Sequence, residues 1–351
     1  MVFTKQQLEA IVNEMFAKMG ATEEELPILT DEIVRSNLCG VDSHGIRNVP
    51  LYWDLVKSGV ILPGSPVTVE KETDTTFVID AHNTFGHIGA KKAAQVAVEK
   101  AKKHGVAVGT TLNLCHVGRL GSYTDYIADQ GLISFIMCAL YNDKQSAPFG
   151  ATETRFGTNP YSWGAPRKDG PNVILDMATT AVAESKVRGY YQTKTPVPST
   201  WIVDADGNPS TDPAVIYERR SDGKIGSLQP MGGYKGTGMA LFANLFGAAL
   251  ANEFYASGKT KSVNGLFLVA VDPDCFFGRE AFKEVCEVTC QHVKSAQPKA
   301  GGGPILVPGE PEAQCMARRM EEGIEIPQGN MDVILATAKE LNCAWPAQYG
   351  F

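Results

Sequence analysis

Within the stretch VDSHGIRNVP (41–50), an acid, a hydroxyl, an imidazole and a guanidinium fall inside Asp42 to Arg47. Imidazole is the side chain best matched to giving and taking a proton near neutral pH, which makes His44 a candidate for acid–base chemistry. Arg47 can hold a carboxylate through two parallel hydrogen bonds. The bland alternative is a capped turn, with Asp42 and Ser43 closing the corner and His44 packing. A second cluster is CHVGRLGSY (115–123), with His116, Arg119, Ser122 and Tyr123. A histidine on a loop between strand and helix can face a cleft or cap the helix. In ILDMATT (174–180), Asp176 ends an apolar run, where a carboxylate is costly without a partner. It can orient a histidine or hold ribose hydroxyls, or it can be an ordinary strand-end cap. GGYKGTG (232–238) surrounds Lys235 with glycines. Glycines let backbone N–H groups approach an oxyanion, the helix that follows adds its positive end, and Lys235 adds a full charge. The spacing is neither GxxxxGK[ST] nor GxGxxG, and a solvated glycine turn is the alternative. His82 and His87 lack an acidic third ligand nearby, so no metal site is expected.

These residues need elements to hold them. Thr4 with Gln7 and Thr22 with Glu25 are capping-box pairs, each opening an N-terminal helix, the second stopped by Gly40. The 41–50 corner and a Pro/Gly turn at 62–66 follow. Residues 75–81 and 106–114 read as strands, with a helix of alanine-rich face over 86–105 between them. His116 and Arg119 then lie on a glycine-containing loop that enters a further helix. The apolar run 132–140 reads as a buried strand. Alternating strands and helices indicate an α/β core. Between 151 and 232 short strands separated by Pro, Gly and Asp206-Gly207 predict antiparallel hairpins. An apolar helix over 232–253, a strand over 264–273, a helix over 279–296 and helices near 311–322 and 330–341 complete the pattern.

The 351 residues are more than one core usually fills, so two lobes are expected. A net charge of −7 without long runs of one sign argues against nucleic acid or an anionic membrane as partner. No stretch is apolar enough to span a membrane, and the N-terminal residues lack the apolar core of a signal peptide. Eight cysteines without a CxxC pair fit a cytoplasmic protein with reduced, mostly buried thiols.

Taken in order, VDSHGI, NLCHVGRLGSY, PFGATETRFGTNP, ILDMATT, GGYKGTGMAL and VPGEPE resemble the malate/L-lactate dehydrogenase family of nicotinamide-dependent oxidoreductases. That family also holds ureidoglycolate, sulfolactate and diketogulonate enzymes and reductases of cyclic imino acids. The resemblance spans about residues 4 to 341. It implies an α/β nicotinamide-binding fold unlike the doubly wound dinucleotide fold, with a mixed, largely antiparallel sheet. It places a core over 66–310 and a helical lobe built from 1–65 and 311–351. It also implies a homodimer. By resemblance, His44 matches a proton donor, and His116 matches a second histidine that transfers the proton in some members. Asp176, Met177 and Ala178 match a strand end that touches NAD or NADP, with Asp176 also part of a proton relay. Asn142, Lys235 with Gly236, and Pro308, Gly309 and Glu310 match further cofactor contacts.

One departure concerns the substrate. Many members carry an arginine four residues after the motif histidine. Here that position is Asn48, the arginine stands one earlier at Arg47, and a usual basic position is Leu51. Arg47 or Arg119 is left to take the anion. The expected function is interconversion of a small 2-hydroxy acid and its 2-oxo acid with NAD or NADP. Reduction of a cyclic ketimine is the alternative. A nucleotide-binding protein without chemistry is a third reading, against which His44, His116 and Asp176 argue.

Overall fold

The computed structural model describes residues 1–140, 144–252 and 264–350; Asn142 lies outside them. The helices are α1 (Lys5–Lys18), α2 (Glu25–Leu38), α3 (Val49–Lys57), α4 (Gly86–His104), α5 (Gly121–Asp129), α6 (Glu184–Thr193), α7 (Tyr234–Gly247), α8 (Arg279–Lys294), α9 (Glu310–Glu322), α10 (Gln328–Glu340) and α11 (Trp345–Gln348). The strands are β1 (Val2–Phe3), β2 (Thr68–Glu72), β3 (Thr76–Asp80), β4 (Val106–Leu112), β5 (Ile133–Leu140), β6 (Tyr161–Ala165), β7 (Val173–Met177), β8 (Ile202–Val203), β9 (Pro209–Ser210), β10 (Ser227–Leu228), β11 (Asn264–Val271) and β12 (Ile324–Glu325).

Seven strands form the main sheet in the order β2-β3-β4-β11-β5-β6-β7. Its one parallel pair is β3 with β4, joined through α4, and every other neighbour is antiparallel. The alanine-rich face of α4 allows the helix to lie close on this sheet: a side chain at Gly89 would meet Leu114 Cδ1 at 2.7 Å and Ala81 Cβ at 2.8 Å. The small sheet β10-β8-β9 carries the hairpin expected at Asp206-Gly207, with Gly207 at φ +87°.

The two chain ends share a second core. Leu8, Met15, Phe16, Leu29 and Ile33 pack with Met331, Ile334 and Trp345, and β1 pairs with β12. The Thr4 capping box is formed. Thr22 and Glu25 also exchange both bonds, at 2.9 and 3.3 Å, although α2 itself starts only at Glu25.

The corner at 41–50 differs from the turn expected there. It is two short 3₁₀ turns, Asp42–His44 and Ile46–Asn48, that run directly into α3. Pro50, a residue suited to turning a corner, sits in the first turn of α3, where its missing N–H costs nothing. Val49 and Tyr52 of this helix are completely buried. The strand β2 was also not anticipated, since all five of its residues are exposed and show no alternation.

Candidate active site

The corner that carries His44 is pinned from beneath. Asn37, at the end of α2, accepts from the Ile46 N–H at 2.8 Å and donates to Asp42 at 2.7 Å. Its carboxamide lies where a side chain at Gly45 would be, 2.2 Å from the Cβ position. Asp42 takes both terminal nitrogens of Arg319 from α9, at 2.6 and 2.9 Å. Asp42 is therefore a structural clamp between chain ends. His44 stands above it, half-buried, with Nδ1 3.0 Å from the Ser43 hydroxyl. Arg47 and Asn48 occupy the next 3₁₀ turn, and Tyr52 lies one turn further along.

His116 comes from the loop after β4. A side chain at Gly86 would lie 2.3 Å from the carbonyl oxygens of Cys115 and His116, so the start of α4 backs directly onto this loop. Gly118 has φ +71°, and a side chain there would meet His87 Nε2 at 2.6 Å. The rings of His44 and His116 stack with centroids 5.8 Å apart and an interplanar angle of 11°. Tyr52 brings its hydroxyl to 2.8 Å from His116 Nδ1 and 3.4 Å from His87 Nε2. Arg119 is buried, with Nη1 3.5 Å from Cys39 Sγ. Asp176, at the end of β7, accepts the Gly121 N–H at the start of α5 at 2.7 Å. Among the described residues, no histidine bonds to it.

These neighbours make a site that repels protons. Burial lowers the His44 pKa to about 3, helped by His116, Arg119 and Arg47. Burial alone lowers His116 to about 4, and burial with the other two rings lowers His87 to about 3. Burial raises Asp176 against the opposing pull of Arg119 and the Gly121 N–H. Among the described residues, no carboxylate forms an ion pair with Arg47 or Arg119. The arrangement of neutral imidazoles beside two guanidiniums, of which Arg119 is only partly offset by nearby Asp176, suits a small anion that also exchanges a proton.

The expected cofactor residues meet around β7. Met231 N–H donates to Thr179 O at 2.9 Å and Gly236 N–H to Met231 O at 2.8 Å, so the glycine loop docks just beyond Ala178. A side chain at Gly236 would lie 2.5 Å from Met231 N and Thr179 O. Gly232 and Gly233 have φ of +59° and +65°, and Lys235 is exposed in the first turn of α7. On the free edge of β7, Ile174 N–H donates to Pro308 O at 3.2 Å, and Gly309, at φ +94°, leaves no room for a side chain against Asn172 O. Glu310 turns inward, bound to Lys294 at 2.6 Å, Arg167 at 3.0 Å and the Val307 N–H at 3.1 Å; it anchors its loop. A cavity of about 280 Å³ lined by Arg35, Cys39, Arg119, Asn172, Gly309 and Glu312 adjoins both groups.

The family model for malate/L-lactate dehydrogenase matches residues 3–334. The chain belongs to this family. It is 31% identical over 345 residues to hydroxycarboxylate dehydrogenase B of Escherichia coli O157:H7, covering 97% of this chain and 94% of that protein. The crystal structure of malate dehydrogenase from Entamoeba histolytica superposes with a TM-score of 0.92 at 25% identity, covering 99% of each chain. Delta1-piperideine-2-carboxylate reductase from Pseudomonas syringae superposes with a TM-score of 0.82 at 26% identity, covering 96% of this chain and all of that one.

Membership in the malate/L-lactate dehydrogenase family makes this an oxidoreductase. Two side chains now in its cleft, Tyr52 and His87, were not read as site residues from sequence. Tyr52 is one helical turn from Asn48, a spacing visible only once α3 is known to begin at Val49. His87 drew notice only as a possible metal ligand.

Proposed function

We propose that this dehydrogenase interconverts a small 2-hydroxy acid and its 2-oxo acid, using NAD or NADP. The observation that carries the reading is the stacked pair His44 and His116 beside Arg47 and Arg119, guanidiniums that form no ion pair among the described residues, although Asp176 lies near Arg119. A substrate carboxylate supplies that charge. Its arrival also raises the pKa of an imidazole in the pair, which then holds the proton that the carbonyl oxygen needs. Asp176 fixes the start of α5 and with it the backbone around Arg119.

The backbone at Gly232, Gly233, Gly236 and Gly309 fits a cofactor that needs close approach, because each position excludes a side chain by conformation or by contact. Lys235 and the N-terminal end of α7 suit its phosphates. A nicotinamide bound there supplies the hydride. The reading takes this as a nicotinamide fold distinct from the doubly wound one, built on β7 and the glycine loop. Met177, Ala178 and Pro308 serve as backbone contacts in it. It also takes the enzyme as a cytoplasmic homodimer, with Leu241, Phe242 and Leu245 on the exposed face of α7 as the surface for a second copy.

Asn48 in place of an arginine, and the likeness to delta1-piperideine-2-carboxylate reductase, favour a second reading, reduction of a cyclic ketimine carboxylate. A panel of oxaloacetate, pyruvate, sulfopyruvate, ureidoglycolate and a cyclic imino acid, run with both cofactors, separates the two. Turnover confined to the imine overturns the hydroxy-acid reading. Cofactor binding without turnover on any of them overturns both.

A further inference from the structure

His116 is held from behind by groups that tolerate only one protonation state. Its Nδ1 lies 2.8 Å from the Tyr52 hydroxyl and 3.4 Å from the Gly118 N–H. A backbone N–H can only donate, so Nδ1 faces it as a lone pair. Tyr52 is fully buried, and burial holds its phenol well above the usual range, so the hydroxyl keeps its proton. That oxygen has a second imidazole neighbour, His87 Nε2 at 3.4 Å, besides the Asn48 side chain. One hydroxyl carries one proton. It goes to the closer nitrogen, His116 Nδ1, and His87 then donates its Nε2–H to the phenol oxygen. This leaves His87 Nδ1 unprotonated, buried and without a partner. An unmet lone pair there is less costly than an unmet N–H.

His44 is held differently. Its Nδ1 partner is the Ser43 hydroxyl at 3.0 Å, which rotates and can donate or accept. Either neutral tautomer, and the imidazolium, can be accommodated there.

We propose that Tyr52 and the Gly118 N–H hold His116 as the neutral imidazole with its proton on Nε2, so that His116 is a fixed hydrogen-bond donor to the cleft while His44 carries the proton transfer. His116 Nε2 has no partner among the described residues and is not sealed from solvent, so it is free to meet a substrate oxygen. A neutral imidazole N–H aimed at a carbonyl oxygen polarises it without gaining or losing a proton. Burial alone lowers His116, and among the described residues no neighbouring anion favours a second proton on it. Tyr52 is thus a positioning residue, acting through His116. The division of roles rests on the reading of the cleft as a hydroxy-acid site, whereas the tautomer does not.

Two-bond proton–nitrogen spectra of the isotope-labelled, substrate-free protein at neutral pH test the tautomer directly. The expected result for His116 is an acceptor-type Nδ1 and a protonated Nε2. A protonated Nδ1, or an imidazolium, overturns the proposal whatever the enzyme acts on. In Tyr52→Phe the ring remains and one hydroxyl is lost. There the spectra should show mixed tautomers, and kcat should fall about tenfold, the size of one hydrogen bond, with KM and cofactor affinity little changed. Tyr52→Phe with the wild-type tautomer and kcat removes Tyr52 from the mechanism. In His116→Gln, which can donate but not shuttle a proton, the pH profile of kcat should keep the limb due to the proton-transfer group. Loss of that limb assigns the transfer to His116 and overturns the division of roles.

Discussion

His116 and Gly236 are fixed in opposite ways. His116 is a side chain held by other side chains: Tyr52 behind it, His44 stacked 5.8 Å in front, and His87 against the glycine two residues on. Gly236 is backbone held by backbone, wedged between Met231 and Thr179 with no space for a Cβ. The half of the cleft proposed for proton transfer is thus specified by which side chains are present. The half proposed for the cofactor is specified by which are absent. Substitutions in the first half should disturb chemistry and leave binding alone, and substitutions in the second should do the reverse.

The largest effect is expected from His44→Ala. Loss of a general acid should lower kcat by on the order of a hundredfold or more while cofactor affinity stays within about twofold. Wild-type turnover in that variant breaks the comparison at its strongest point. Next comes Lys235→Ala, which removes one charge from a surface-exposed turn. Cofactor affinity, followed by nicotinamide fluorescence, should weaken by about tenfold or more, with little change in Tm, because a charge-assisted bond is lost and no packing is. Unchanged affinity would take Lys235 out of the cradle. Asp42→Asn is intermediate in kind, since Asp42 gives both carboxylate oxygens to Arg319 and so clamps the His44 corner. Its kcat should fall several-fold along with a Tm loss of a few degrees, and a fall in neither would show the corner to be held by Asn37 alone.

The smallest effect concerns pH. Glu32 of α2 is buried, and burial raises its carboxyl to about 7, with Ser122 of α5 opposing the shift. A raised carboxyl contributes stability that is complete below the unfolded value of 4.5 and is lost as pH rises through about 7. The histidines work the other way. His87, lowered to about 3, contributes stability that is complete above 6.5 and is lost as pH falls toward 3. Thermal melts of Glu32→Gln should therefore lose less stability than wild type as pH rises from 4.5 through about 7, and match it at the acid end. Parallel curves for the two proteins across that window would mean that Glu32 is already ionised in the fold.

Legibility in the sequence follows the same division. Glycine motifs were readable as tight backbone positions because a left-handed φ or a close backbone approach leaves a mark on residue type, as at Gly233 and Gly309. The capping boxes at Thr4 and Thr22 were readable for a similar reason: their partners are three residues away. Asp42 was readable as polar equipment but not as a clamp, because Arg319 lies at the far end of the chain. Tyr52 escaped because 41–50 was read as a corner with no helix assigned after it, whereas α3 starts at Val49. Glu310 resembled a cofactor contact by position, yet its carboxylate faces Arg167 and Lys294, a pairing that spacing along the chain cannot show. Small, local and conformational requirements are written in short stretches of sequence, whereas long-range pairings are not.

The pairing of β1 with β12 sets an order of events during synthesis. Val2 and Phe3 meet Glu325 and Ile324, and the core beneath them needs Trp345. A nascent chain can complete the main sheet once β11 has emerged, but its N-terminal helices must wait for α10 and α11. Until then the core that α1 and α2 share with Tyr52 and Phe85 lacks Met331, Ile334 and Trp345, and the His44 corner lacks Arg319. Closing so long a loop is slow, so the clamp on the His44 corner is among the last contacts to form.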